Sequence, residues 1–160
     1  MKNIEETLHQ IFQDVEELRV EVEKDKIRIE EADKFSNTLQ RSLQDENKLP
    51  FVSPKIADEH FNVVMNCWKK QIDIIKRISP KLEKQLEDAI VQTERAWEKA
   101  LKHYTNSYDE YTSGNRSKGE KMLSETSTEI GTYVIAQTAL GSGVNVAYTC
   151  ITDLADRVMD

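Results

Sequence analysis

The sequence predicts an all-α fold, an elongated antiparallel bundle of three long helices in one domain that spans residues 1–160. Charged residues make up 32% of the chain and apolar residues 38%, while glycine and proline number only five and three. This composition is typical of long amphipathic helices that keep one face in water. A long heptad pattern near the N-terminus supports the same class.

The first predicted helix covers about residues 3–46 and carries one regular seam. Its positions alternate four and three residues apart, and ten of the twelve are apolar. They are Ile4, Leu8, Ile11, Val15, Leu18, Val22, Asp25, Ile29, Ala32, Ser36, Leu39 and Leu43. Such a repeat predicts coiled-coil-like packing. Asp25 and Ser36 interrupt the seam. Asp25 either fixes the register or partner, or faces a lysine or a small gap at the bundle surface.

The second predicted helix covers residues 54–112. Ser53-Pro54 supplies an N-cap hydroxyl and a proline in the first turn. Ser79-Pro80 repeats that signal, so the helix is kinked or broken at Pro80; without a nearby glycine, a kink is favoured over a turn. Gly114 suits the end of the helix, and a third long helix is predicted over residues 118–158.

An aromatic stripe follows the second predicted helix towards its end. Trp97, Leu101, Tyr104, Tyr108 and Tyr111 alternate four and three residues apart. Tyrosine and tryptophan combine a large contact area with a polar group, so the stripe is a candidate partner-binding surface. The alternative is ordinary core packing, because the same positions continue an apolar stripe from Leu82.

A basic stripe surrounds Pro80. Lys70, Arg77, Lys81 and Lys84 share one helical face if the kink at Pro80 is mild. The stripe could bind an acidic partner or a phospholipid surface. In the alternative interpretation it is a solvated face that balances the acidic residues 1–54, whose net charge is −5.

Residues 130–152 contain no charged side chain and are long enough as a helix to cross a bilayer. Gln137 and Asn145 make a poor lipid-embedded helix, and the flanking residues are acidic rather than basic or aromatic. The run therefore predicts a central bundle helix. Gly141 and Gly143 mark either a close-packing point or a hinge that would make the run a hairpin.

No pattern in the chain predicts catalysis, a cofactor, a metal or a small-molecule substrate. The three histidines are far apart, and Glu6 and His9 form a single Glu-x-x-His pair where a di-metal bundle needs two. Cys67 and Cys150 are expected to be reduced core thiols. The net charge of −7 disfavours nucleic acid as a partner.

These observations predict a non-enzymatic protein-protein interaction or assembly module, expected to self-associate as a homodimer. One alternative is a membrane-acting helical protein that uses the basic stripe or inserts residues 130–152, as pore-forming proteins do. Another is a small acidic carrier or inhibitor that masks a partner protein. The N-terminal residues lack the apolar core of a signal peptide, so a cytoplasmic location is expected, with leaderless secretion as the alternative.

Overall fold

The computed structural model describes the backbone of residues 3–44 and 53–159, and the side chains of residues 3–35 and 53–158. These residues form four α-helices: α1 (Ile4–Gln44), α2 (Pro54–Ile78), α3 (Glu83–Thr112) and α4 (Arg116–Met159). A short 3-10 turn, Pro80–Leu82, joins α2 to α3. No strand occurs in the described ranges, so the predicted all-α class is confirmed. The predicted continuation of the first helix to residue 46 lies outside the described residues.

Two helix boundaries follow the local signals in the sequence. The Ser53 hydroxyl accepts a hydrogen bond from the backbone N–H of Ile56 at 3.3 Å, and Pro54 opens α2. At the end of α3, Gly114 adopts a φ of 104°, a left-handed conformation that costs glycine little. That conformation lets α4 begin at Arg116 after a very short loop.

The expectation of one kinked helix over residues 54–112 is wrong, because the chain reverses direction at Pro80. Helix α2 ends where the Ser79 N–H donates to the Ile75 carbonyl, and proline cannot continue the ladder. Lys76 then pairs with Glu87 at 3.3 Å, and Lys69 pairs with Glu94 at 3.2 Å. These pairs straddle the turn, so α2 and α3 form an antiparallel hairpin. The break at Pro80 makes four helices where three were predicted.

Successive helices are antiparallel, and each helix packs beside its neighbours in the chain. Asp25 of α1 meets Lys70 of α2, and His103 of α3 meets Glu129 of α4. Helix α4 also packs along α1, where Arg19 contacts Asp156 at 2.6 Å. Helices α2 and α4 touch across the middle, whereas α1 and α3 make no contact in the described part of the chain. The cross-section is therefore a rhombus with α2 and α4 on its short diagonal.

Two apolar clusters fill the bundle. The larger one surrounds Trp68, with Ile72 and Ile75 from α2 and Leu140 and Val144 from α4. The second cluster is aromatic, and it lies where α3 and α4 run side by side. Its buried members are Ala57, Trp97, Ala100, Tyr104, Leu123, Ile130 and Tyr133. The two clusters lie one after the other along the bundle and together bury its core-facing side chains.

Asp25 is fully buried, with 0% of the residue exposed. One carboxylate oxygen contacts the Lys70 ammonium at 3.4 Å, and the other accepts a hydrogen bond from the Gln71 side-chain amide at 3.4 Å. Asp25 therefore contacts a lysine, as one of the interpretations of the sequence predicted. The contact lies inside the α1–α2 seam rather than at its surface.

Helix α4 continues without a break through Gly141 and Gly143. A Cβ atom on Gly141 would lie 3.1 Å from Cζ2 of Trp68, whereas one on Gly143 would lie 3.7 Å from Leu86. Gly141 is therefore a point of close packing between α4 and α2. A second tight contact, absent from the sequence predictions, is at Gly119, where a Cβ would lie 2.6 Å from the backbone of Tyr111.

We expect Gly141 and Gly143 to respond in opposite directions to substitution. G141V overpacks the contact with Trp68 and should lower the free energy of unfolding by about 1–3 kcal/mol. G143A adds an ordinary contact and a better helix former, so it should raise that free energy by about 0.5–1 kcal/mol. Urea unfolding of both variants measures the difference. Equal destabilisation by the two substitutions would contradict the close-packing assignment of Gly141.

Candidate functional site

The aromatic stripe contributes mainly to the core. Trp97 is buried, and its indole Nε1 donates to Asp58 at 2.9 Å. Tyr104 is also buried, and that burial raises the pKa of its hydroxyl. Leu101, Tyr108 and Tyr111 are half-buried. The five positions therefore do not form one exposed surface, although the predicted spacing places them along α3.

The basic stripe is divided by the reversal at Pro80. Lys70 pairs with Glu21 and Asp25, and Arg77 pairs with Asp14 and Glu17. These two residues are thus balanced by the acidic helix α1, as the alternative interpretation required. The remaining two stripe residues are Lys81 and Lys84, which are exposed at the α2–α3 turn and form no ion pair with a described residue. No single basic face exists, because its premise of a mild kink fails.

The uncharged run lies within α4, and its polar residues have different environments. Gln137 is buried and donates to Asp33 of α1 at 2.9 Å, while Asn145 is exposed. By length and composition α4 is able to cross a membrane, with a mean hydropathy of 1.2 in its most apolar window. Only 33% of that window is buried in the bundle. Core helices of bundles pass the same test, so the finding is weak evidence for a membrane span.

The two cysteines have different environments, and both are free thiols. Cys67 is buried, and this burial together with the Asp25 carboxylate raises its pKa to about 11. Cys150 is exposed, which corrects the expectation of a core thiol, because it lies at the surface of α4 where the cavities between α1 and α4 open. Among the described residues, no group of three or more His, Cys, Asp or Glu side chains could hold a metal ion.

The most distinctive surface lies where α1 begins and α4 ends. Arg77, in the last turn of α2, contacts Asp14 and Glu17, so the first ten residues of α1 extend beyond α2. Helix α4 runs parallel to α2 with Gly141 beside Trp68, so it passes the end of α2 at about residue 150. We call residues 4–13 of α1 and 150–158 of α4 the terminal overhang.

The overhang exposes the apolar faces that are buried elsewhere in the bundle. Ile4 is 79% exposed, Leu154 is 63% exposed and Val158 is 56% exposed. A cleft of about 380 Å³ opens between the two helices and the α2–α3 turn. It is lined by Leu8, Ile11, Phe12, Val15, Ile78, Ser79, Leu82, Ala147, Cys150, Ile151, Leu154, Ala155 and Val158. Leu8, Leu154 and Val158 are exposed and line the same cleft, and adjacent exposed apolar residues of this kind mark interaction sites.

Charges of both signs surround the cleft, with an acidic excess at the tip of the overhang despite Arg157 and a basic excess at the α2–α3 turn despite Glu83. Glu5 and Glu6 lie in the first turn of α1, and Asp153 lies on the last part of α4; all three are exposed. Lys81 and Lys84 lie on the α2–α3 turn, where the overhang begins. We call these two lysines the basic step. An acidic end and a basic step therefore flank the same apolar surface.

The sequence predictions included several overhang residues as seam positions but missed their exposure. Leu8 belongs to the α1 seam, and Leu154 and Val158 belong to apolar stripes of the last helix. Their exposure depends on helix length: α1 and α4 have 41 and 44 residues, but α2 and α3 have 25 and 30. Reading Ser79-Pro80 as a turn would have revealed this mismatch.

Thiol labelling should distinguish the two cysteines. At pH 8 and low protein concentration, we expect a maleimide to label one thiol per native chain, because Cys67 is buried and protonated. Urea should expose the second thiol, and C150S should remain unlabelled while it is folded. Mass spectrometry counts the labels. Rapid labelling of Cys67 in native C150S would contradict its burial.

Comparison with known protein families, characterised proteins and solved structures finds no match for this chain. Function must therefore be argued from its own surfaces.

Proposed function

We propose that this protein is a non-enzymatic assembly module that forms a homodimer by packing two terminal overhangs against each other. The observation that carries the proposal is that the α1 seam continues to Ile4 beyond the end of α2, the helix it packs against. Seam positions such as Val15 and Leu18 are buried by neighbouring helices, whereas Ile4 is 79% exposed. A second copy would cover the part of the seam that this chain leaves open.

Two overhangs are geometrically suited to complete each other. Each supplies two antiparallel helical segments with apolar inner faces, and two such pairs form a four-helix unit. A twofold axis between the copies makes the contact self-complementary. We propose that the predicted coiled-coil-like packing of the α1 seam extends into the second copy in this unit.

The charge distribution favours a second copy as the occupant. In a twofold arrangement, the acidic end of each overhang approaches the basic step of the other copy. Glu5 and Glu6 of one copy would then lie near Lys81 and Lys84 of its partner, which have no ion-pair partner among the described residues of their own chain. Complementary charges of this kind mainly set orientation and partner choice.

The overhang is also large enough for a specific interface. It offers about 20 residues per copy, and standard interfaces use roughly 20–30 residues on each side. Its centre is apolar and its rim is charged, which is the usual arrangement of a protein-protein contact.

The membrane alternative has one supporting observation, the apolar composition of α4. Insertion of α4 would require separating Gln137 from Asp33 and Tyr133 from its aromatic neighbours Phe61 and Trp97. Both losses oppose insertion, so we favour the dimer. Flotation with anionic liposomes tests the alternative, and binding that depends on Leu154 would replace our proposal.

We expect L154E to dissociate the dimer, because it places a carboxylate in the apolar centre of the proposed interface twice per dimer. The matched control is I135E, since Ile135 is 72% exposed on the same helix but lies outside the overhang. Light scattering or analytical ultracentrifugation should show at least about tenfold weaker association for L154E and no change for I135E. A wild-type chain that remains monomeric at about 100 µM would refute the proposal.

A charge exchange tests the orientation of the two copies. K81E/K84E and E5K/E6K should each associate more weakly, because each places like charges together across the interface. A mixture of the two variants should recover a heterodimer through one restored set of contacts. Failure of the mixture to associate better than either variant alone would rule out the proposed pairing.

A further inference from the structure

A second surface cavity lies between α1 and α4 and shares only Cys150 with the terminal overhang. It has a volume of about 520 Å³, within the usual range for small-molecule sites. Ile29 and Asp33 form its α1 wall, and uncharged polar residues of α4, including Ser142 and Asn145, form the other. Trp68 of α2 contributes the floor, where its ring packs closely beneath Gly141.

The Trp68 indole has an unused donor at this floor. Only 4% of the residue is exposed, and its Nε1 has no hydrogen-bond partner among the described residues. Trp97, by contrast, donates its Nε1 to Asp58. The Cε2 atom next to the Trp68 Nε1 lies 3.9 Å from the position of a Cβ on Gly141, so this edge of the ring lies beneath the groove. Buried donors without partners are rare, and a bound acceptor is one explanation.

The carboxylate of Asp33, on the wall of the same groove, lacks a cationic partner among the described residues. One of its carboxylate oxygens accepts a hydrogen bond from Gln137, but no described Lys, Arg or His forms an ion pair with it. Partial burial of the carboxyl group, together with nearby Glu30, raises its pKa. An additional cation would relieve both unfavourable effects.

We propose that this groove binds a small organic ammonium ion that carries an apolar body and an oxygen acceptor. The ammonium group pairs with the Asp33 carboxylate, and the oxygen accepts the hydrogen bond from Trp68 Nε1. The apolar body packs against Ile29 and the indole, while the hydroxyl and amide groups of Ser142 and Asn145 remain available to polar substituents. This inference is independent of the proposed dimer, because none of these residues belongs to the overhang.

Tyramine is a suitable probe because it carries an ammonium group, an aromatic ring and a phenolic oxygen. In the full-length ¹⁵N-labelled protein, we expect tyramine to shift the indole N–H signal of Trp68 saturably and to leave the Trp97 signal in place. Trp97 is an internal control because its indole already donates to Asp58. Tyrosol, which lacks the cation, and phenethylamine, which lacks the oxygen, should each bind at least about fivefold more weakly.

D33N removes the negative charge of Asp33 and keeps nearly the same side-chain shape. Asp33 is exposed as a residue, so the variant should fold, and it should bind tyramine at least about fivefold more weakly than the wild type. E31Q is the matched control, because it removes an exposed carboxylate from α1 outside the groove and should leave the affinity unchanged.

Three results would overturn the proposal: no shift of the Trp68 signal at about 10 mM tyramine, equal binding of tyrosol, or unchanged affinity in folded D33N. The comparison among tyramine, tyrosol and phenethylamine requires no substitution, so it remains decisive if a variant fails to fold.

Discussion

The structure depends first on the buried carboxylate of Asp25. A seam made of apolar residues in heptads can slip by seven residues and still bury apolar surface. Asp25 opposes a slip towards the start of α2, where no cation replaces Lys70, whereas a slip in the other direction would place it beside Arg77. A shift of seven residues towards the start of α2 would place the carboxylate beside Val64, and a buried charge without a partner costs several kcal/mol. The same register places Arg77 beside Asp14 and so determines how far α1 projects beyond α2.

A second constraint is the contact between Trp68 and Gly141 on the short diagonal of the rhombus. Since Gly141 lacks a Cβ, α4 approaches the indole closely, and the larger apolar cluster closes around that point. The same absence of a side chain leaves the groove between α1 and α4 open down to the indole. One glycine therefore both completes the core and creates the cavity that contains Asp33. Glycine at this position costs about 1 kcal/mol of helix stability relative to alanine, and both features depend on it.

The all-α class, the start of α2 and the end of α3 depend on local signals, so the sequence predicts them. Whether α4 continues through Gly141 stays open from the sequence alone, because it depends on the contact with Trp68, which is remote in sequence. The reversal at Pro80 could not be predicted from local signals. A proline after serine is compatible with a kink and with a turn, and the choice depends on ion pairs such as Lys69 with Glu94, which are remote in sequence. The candidate sites depend on that choice. Without the hairpin, neither the exposed overhang nor the division of the basic stripe could be predicted, although Leu8 and Lys81 were both noted.

The α1 seam shows why periodicity alone could not locate a partner-binding surface. Val15, Leu18 and Ile4 follow one uniform pattern, yet the first two are buried within the chain and the third is exposed. The pattern specifies that each position packs against apolar surface, but it does not specify which chain supplies that surface. Helix lengths decide this, because α2 ends before it can cover the first turns of α1. The uncovered seam positions still carry the apolar residues of a packed interface, and a second copy offers the same unfilled seam together with the opposite charges at its step.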